Sequence, residues 1–514
     1  MALTDKLSAI GSAIREKTGK SDLLTLDAMP AEIAAIETSS EPVIDHTHED
    51  ERITAKSMGD YVNDRVTTVG NGGMASFNSA GYGISFPNVT TADQNSFNDT
   101  KCVYLSLPNC ESCGTKAFYS AGQTNQMGSR LYAPNLADAN GSNVTYLFQT
   151  CEFNYVKLPK WTTTYSYMFH SANSLVISLP EATTMQGNGP FQSSKAQVIF
   201  LPKATSLSSG NTFSSTTLVS LNLPSLTTLT DNSWFNSSSK IQQVDLGVCS
   251  SIKNTSYTGF PATIHTIVLR YDGVCSLATA GSTLFKNTKI VNGKTGYIYV
   301  PAAHLESYKT ATNWSTVADQ FRAIEDYPTE TTFGVIYSED TAAIEYGTYN
   351  GNTNITGAYL PNCTGIYAYG STQGAGAFSS CTNLYYIDAP KATAIGGCSG
   401  CTNLIAVEVP EVTSIAQYAF HDCNNLKFLD LPKVTRIDMN AFYLSGMCSS
   451  SAVLILRNSA VVEASLSPFS SSSMSSTSYP KVYVPAALVE DYKAHTHWGK
   501  CKIYAIEGSP YEEV

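Results

Sequence analysis

Charged residues and long apolar runs are both scarce in this chain of 514 residues. Asp, Glu, Lys and Arg make up 14% of it, and the formal net charge is -11. Nucleic-acid binders need a basic surface that displaces counterions from phosphates, so we expect no nucleic-acid partner. No span reaches the roughly 18 consecutive apolar residues of a membrane helix, so we expect a soluble chain without membrane insertion.

The N-terminus lacks the pattern of a secretory signal. Asp5 and Lys6 interrupt the apolar residues between Met1 and Ile14, and no continuous apolar segment is present there. The 13 cysteines are an odd set spread over a large chain, which argues against a dense disulfide framework and favours synthesis in a reducing compartment. If the chain leaves a cell, we expect a route other than a signal peptide.

Motifs of enzymatic chemistry are also missing. The glycine-rich stretches at 70–73 and 370–376 lack the lysine and the strand–helix context of a phosphate-binding loop. No G-x-S-x-G nucleophile motif occurs. We therefore predict no enzymatic activity and no catalytic residues.

What the chain does contain is an internal repeat. The phrase apolar-Pro-x-apolar recurs at intervals of about 21 residues. It starts at Phe86, Leu107, Leu158, Leu179, Leu201 and Leu223, and again at Leu360, Ala389, Val409 and Leu431. A phenylalanine follows each of eight prolines by ten or eleven residues: Phe97, Phe118, Phe169, Phe191, Phe213, Phe235, Phe420 and Phe442.

Upstream of the proline lies L-x-x-L-x-L, clearest at Leu426, Leu429 and Leu431, which is the strand signature of a leucine-rich repeat. The motif predicts a short parallel strand that the proline ends, with the phenylalanine on the far side of the coil. One coil cannot bury its own apolar face, so coils must stack into a solenoid. The register also explains Cys398-x-x-Cys401, which resembles half of a zinc or redox site but occupies positions where a buried thiol acts as a small apolar residue.

Each array of repeats ends in a similar segment, Val300-Pro-Ala-Ala to Glu325 and Val484-Pro-Ala-Ala to Glu507. Proline in the first turn followed by good helix formers predicts a helical cap that covers the last coil. We therefore predict a first array with its cap at 74–326, a second at 327–508 and a short tail at 509–514.

The first 40 residues differ in kind. Apolar residues at helical spacing, including Leu3, Leu7 and Ile10, predict a small helical module at 1–40 for anchoring or oligomerisation, and 41–73 reads as a connector. The connector holds His46 and His48. In a trimer, six such imidazoles would surround a transition-metal ion on the threefold axis; a solvated histidine pair is the simpler alternative. Otherwise we expect no cofactor.

A candidate binding surface follows from the strand motif, because its middle positions alternate outward and solenoids usually bind on that face. A merely solvated strand face is the alternative interpretation. The predicted contact residues are Tyr104, Ser106, Asn222, Asp245, Asp388, Glu408 and Asp430.

Over roughly residues 74 to 508, the LP-x-apolar-T, apolar-Phe and C-x-N-L phrases resemble BspA-like leucine-rich repeats. That resemblance implies adhesion and binding to proteins or other surface molecules. Residues 2–36, ALTDKLSAIGSAIREKTGKSDLLTLDAMPAEIAAI, resemble the N-terminal module of tail-associated proteins from phages and prophages of gut Firmicutes.

Together the two resemblances imply a virion structural protein of the tail fibre or baseplate. Such a protein would bind other tail or baseplate proteins through residues 1–40 and a host-surface protein or glycan through its arrays. The resemblance to fibre proteins also implies a homo-oligomer, with a trimer as the default. The alternative is a BspA-like bacterial adhesin at the cell surface.

Overall fold

The computed structural model describes residues 60–512 apart from 124–126, 139–143, 208–209, 231–233, 236–239, 254–259, 369–375, 465 and 470–478. The predicted helical module at 1–40 lies outside the described residues, as do His46 and His48. The described part is built of stacked coils. Nearly every coil contributes one strand to a face of the solenoid, and many coils contribute a second, shorter strand to an adjacent side of the solenoid.

We call the first set face strands and the second side strands. In the first array the face strands are β1 Tyr61–Val62, β3 Gly83–Ser85, β5 Tyr104–Ser106, β7 Arg130–Tyr132, β8 Tyr155–Lys157, β10 Val176–Ser178, β12 Val198–Phe200, β14 Ser220–Asn222, β16 Gln243–Asp245, β18 Thr266–Val268, β20 Tyr297–Val300 and β21 Phe321–Ala323. Its side strands are β2 Thr68–Val69, β4 Thr91–Ala92, β6 Ser112–Cys113, β9 Thr163–Thr164, β11 Thr184–Met185, β13 Ser206–Leu207, β15 Thr228–Leu229, β17 Ser251–Ile252 and β19 Ser276–Leu277.

The second array repeats this arrangement. Its face strands are β22 Gly334–Tyr337, β23 Ile355–Tyr359, β25 Tyr386–Asp388, β27 Ala406–Glu408, β29 Phe428–Leu431, β31 Val453–Leu456, β32 Lys481–Val484 and β33 Lys502–Ala505, and its side strands are β24 Gly365–Ile366, β26 Ala394–Ile395, β28 Ser414–Ile415 and β30 Arg436–Ile437.

The strands pair in parallel from coil to coil. In the first array the face strands form a sheet β1-β3-β5-β7-β8-β10-β12 and a second sheet β14-β16-β18-β20-β21; in the second array they form β22-β23-β25-β27 and β29-β31-β32-β33. Every pairing between named strands is parallel, as expected when each coil returns the chain to the start of the next strand. The predicted solenoid of short parallel strands is confirmed.

Each array has its own apolar core. One cluster runs from Val66 to Phe321 and another from Ile344 to Ile503. Within the first, the repeated phenylalanines stack as a ladder from Phe97 to Phe235, with ring centroids 4.9 to 5.8 Å apart. Such offset stacking places every ring against both neighbouring coils, so that each coil is held by the next.

Each predicted cap contains short helical segments. The α-helices of the described residues are α1 Gly281–Leu284, α2 Leu305–Thr310 and α3 Val489–Ala494, beside short 3-10 turns at Ala302–His304, Ser315–Gln320, Ala486–Leu488 and Trp498–Lys500. The end of each cap is a strand, β21 or β33, because it pairs with the last face strand and so satisfies an otherwise open sheet edge. Trp314 and Trp498 fill the caps and are fully buried.

Residues on either side of the predicted arrays also pack on them. β1 pairs with β3, so the first coil begins before residue 74 and includes part of the predicted connector. Within the predicted tail, Tyr511 is 1% exposed and packs on Tyr104 and Tyr483. The sequence pattern also missed the coil of β7, although Ala133-Pro-Asn-Leu136 carries the repeat phrase.

Candidate functional site between the two arrays

The outward positions of the face strands form two regular rows. Strand pairing places Tyr104, Arg130, Tyr155, Val176 and Val198 in one row, and Ser106, Tyr132, Lys157, Ser178 and Phe200 in the other. In the second array Asp388 and Glu408 are direct neighbours, as are Asn222 and Asp245 in the first. The predicted contact residues therefore do share one face in each array.

That face is largely closed to solvent at these positions, because the two arrays pack on each other through it. Tyr104 stacks on Phe428 at 5.5 Å between ring centroids, Tyr155 lies 5.8 Å from Tyr386, and Phe200 lies 4.7 Å from Tyr359. The expectation that this row is exposed is therefore corrected. Glu408 keeps partial access to solvent, with 31% of its side chain exposed.

Ion pairs cross the same interface. Lys157 donates from Nζ to Asp388 Oδ2 at 2.7 Å, and the hydroxyl of Tyr386 donates to the same oxygen at 2.6 Å. Arg130 donates from Nη1 to Glu408 at 3.2 Å, and its guanidinium carbon lies 4.0 Å from the centroid of the Phe428 ring. Because Asp388 is 2% exposed, these two donors take the place of water around its carboxylate.

Asp430 anchors the C-terminal segment to this face. Arg457 donates to both of its carboxylate oxygens and also to the backbone oxygens of Tyr511 and Glu512. Burial raises the pKa of Asp430 to about 6, although Arg457 lowers it in part. The Asp430 carboxylate therefore receives its hydrogen bonds from Arg457.

Asn222 and Asp245 hold the segment that joins the arrays, which we call the joining segment and which lies between β21 and β22 at residues 324–333. The Asn222 side chain donates to the Phe333 backbone oxygen at 3.1 Å and accepts from the Val335 backbone N–H at 3.0 Å. Gly334, between them, has a φ of +69°, and a Cβ there would lie 1.8 Å from the Asn222 side-chain oxygen. Asp245 accepts from Arg270 at 2.7 Å, and Arg270 in turn donates to the backbone oxygen of Thr331 in the joining segment.

Ser106 is the exception among the predicted residues. It is fully buried, and its hydroxyl has no hydrogen-bond partner among the residues that the structure describes. The other six make intramolecular contacts that fix the second array, the joining segment or the C-terminal segment against the first array.

A cleft of about 200 Å³ remains within the interface. Its lining includes Arg130, Lys157, Glu408 and Asp430, together with aromatic side chains such as Tyr132. The four charged groups are two acids and two bases, and both acids already pair with arginines. The cleft therefore offers no free carboxylate pair of the kind that glycoside hydrolysis requires.

Sequence reasoning missed the basic half of this interface. Arg130 lies on the overlooked coil, and Lys157 and Tyr155 lie on a coil whose outward residues were not singled out. The repeat phrase at Ala133 would have revealed the coil, but no local pattern shows that its arginine meets an acid 278 positions later.

The described residues contain no group of three or more His, Cys, Asp or Glu side chains arranged to hold a metal ion. Within the same part of the chain, no helix combines the length and apolar character needed to cross a bilayer. Burial also raises the pKa of Cys398 and Cys401 well above the ordinary thiol value, which agrees with their interpretation as structural residues.

Residues 144–242 and 396–482 match the model of the BspA type leucine rich repeat region, in six copies. A crystal structure of a leucine-rich repeat protein from Bacteroides ovatus is similar at 13% sequence identity; the match covers 83% of this chain and 92% of that chain with a TM-score of 0.25. No curated protein matches the chain. The repeat match falls on both arrays and accords with their coil geometry.

Proposed function

We propose that the chain is a non-enzymatic attachment protein that binds a protein or glycan of a host surface through its two arrays. The observation that carries the proposal is the presence of BspA-type repeats in both arrays, with the arrays joined through their strand faces. Fixed packing presents the remaining surface as one preorganised body, so little conformational entropy is lost when it binds.

The carrier that we propose is a phage or prophage virion, as a tail-fibre or baseplate component. The resemblance of residues 2–36 to tail-associated modules supports it. The second candidate is a BspA-like adhesin on a bacterial cell, which the repeat match favours. Antibody labelling of purified virions and of whole producing cells distinguishes the two: label on tails supports the first carrier, and label on intact cell surfaces the second.

Binding of the fluorescently labelled full chain to candidate host cells tests attachment itself. The full chain is required because separated arrays would expose Tyr104, Phe428 and the rest of the apolar interface, and such a patch binds surfaces without specificity. We expect saturable binding that excess unlabelled chain displaces. Binding that never saturates, or none on any candidate host, would refute attachment.

A further inference from the structure

The strand face of the first array continues beyond the start of the second array. β22 packs against β12 and β14, whereas β16, β18 and β20 extend further along the first array. The joining segment packs on the row of Val268 and Tyr299 through Phe333 and Tyr327, and Tyr297 of the other row lies partly buried against the same cluster. The other row, which includes Gln243 and Thr266, borders an open pocket of about 330 Å³.

Two buried polar side chains line this pocket without a partner. Gln243 is 7% exposed and Tyr299 is 4% exposed, and both line the pocket. Neither the Gln243 amide nor the Tyr299 hydroxyl forms a hydrogen bond to any described residue. Neither polar end is among the fully buried atoms that lack a partner, so both reach the open pocket, where a ligand or water can bind them.

The rest of the lining is polar and almost uncharged. His265 lies with Nδ1 2.9 Å from Thr266 Oγ1, and burial lowers its pKa, so the ring is neutral at pH 7. Glu330 is the one acidic residue of the lining, and no lysine or arginine contributes. Tyr297 adds a half-buried aromatic ring whose centroid lies 4.3 Å from the guanidinium carbon of Arg322.

We propose that this pocket binds a neutral saccharide unit of a surface glycan. A sugar presents hydroxyls that both donate and accept, which suits an amide, a phenol and a carboxylate, and its C–H face suits an aromatic side chain. The absence of a basic residue from the described lining disfavours anionic sugars and phosphates. The volume lies within the range of about 300–1,000 Å³ for small-ligand sites. This assignment rests on the attachment function proposed above and names its ligand class.

The test is binding of the full chain to an array of neutral and anionic oligosaccharides, followed by calorimetric titration with the neutral glycan of highest signal. Gln243→Leu removes the amide at nearly constant volume and should weaken binding about tenfold. Tyr299→Phe removes one hydroxyl and should weaken it about three- to tenfold. Gln186→Leu, an exposed glutamine outside the pocket, is the matched control and should bind as the original chain does.

Thermal unfolding without glycan separates binding from structure. Because both polar groups lack partners, Gln243→Leu and Tyr299→Phe should leave the melting temperature unchanged or raise it. A lower melting temperature for both variants would assign the groups a structural role and overturn the proposal.

The remaining outcomes are equally decisive. No neutral glycan bound, a preference for anionic glycans, or neutral-glycan binding unaffected by both substitutions would each overturn the saccharide site. If the chain nevertheless attaches to host cells in a saturable way, the attachment function stands and only this site falls. If attachment also fails, both proposals fall.

Discussion

The buried ion pair between Lys157 and Asp388 tests whether the interface stabilises the protein. Asp388 accepts hydrogen bonds from Lys157 and Tyr386, and its side chain is 2% exposed. We consider Asp388→Asn and Lys157→Met, singly and combined. Either single change leaves one member of the pair without its counter-charge in a largely apolar interface.

The magnitude follows from the burial of the two partners. Removing one partner of a fully buried pair costs roughly 3–5 kcal/mol. Asp388→Asn leaves Lys157, whose side chain is 26% exposed and can regain some water, so we expect about 2–3 kcal/mol. Lys157→Met leaves the Asp388 carboxylate at 2% exposure without its counter-charge, so we expect the full cost of about 3–5 kcal/mol. The double variant should be less destabilised than the sum of the single variants, with a coupling energy of about 1–2 kcal/mol.

Urea denaturation followed by tryptophan fluorescence measures these energies, since Trp161, Trp234, Trp314 and Trp498 are all fully buried. Hydrogen exchange locates the effect, with faster exchange expected in β8 and β25 and no change in the caps. Lys203→Met is the control, because Lys203 and Glu181 form an exposed pair and its loss should cost at most about 1 kcal/mol. Additive single effects, or a Lys203→Met loss as large as that of Lys157→Met, would refute the reasoning.

Two further predictions follow from buried titratable groups. Folding raises the pKa of Asp430 from 3.8 to about 6, so the folded state binds its proton more tightly and loses stability as pH rises through that interval. Between pH 4 and pH 7 the chain should therefore lose up to about 3 kcal/mol of unfolding free energy relative to the Asp430→Asn variant. Urea denaturation of both proteins across this pH range measures the difference. Stability profiles that run parallel for the two proteins would contradict the prediction. Burial also raises the pKa of Cys398 and Cys401, so both thiols should resist a thiol reagent at pH 8 and react after unfolding in urea. Mass spectrometry of the labelled peptides reads this out, and rapid labelling of the native chain would show that the two sites are accessible.

The sequence by itself determined the coil. Proline positions predicted where face strands end, and the recurrent phenylalanines predicted a stacked core, because each of these residues contacts only its own coil and the adjacent ones. Phe97 and Phe118, one coil apart, stack at 5.6 Å. Periodicity also placed Asp388 and Glu408 side by side on the same outward face, which the strand register confirms.

Only the tertiary structure decided what that face contacts. Lys157 and Asp388 are 231 positions apart, and no repeat pattern encodes that the second array packs back on the first. An outward polar residue has the same sequence pattern whether water or another array covers it. The interface therefore buried much of the predicted contact surface and left Gln243 and Tyr299 beside an open pocket, which Glu330 of the joining segment and Asn354 of the second array also line.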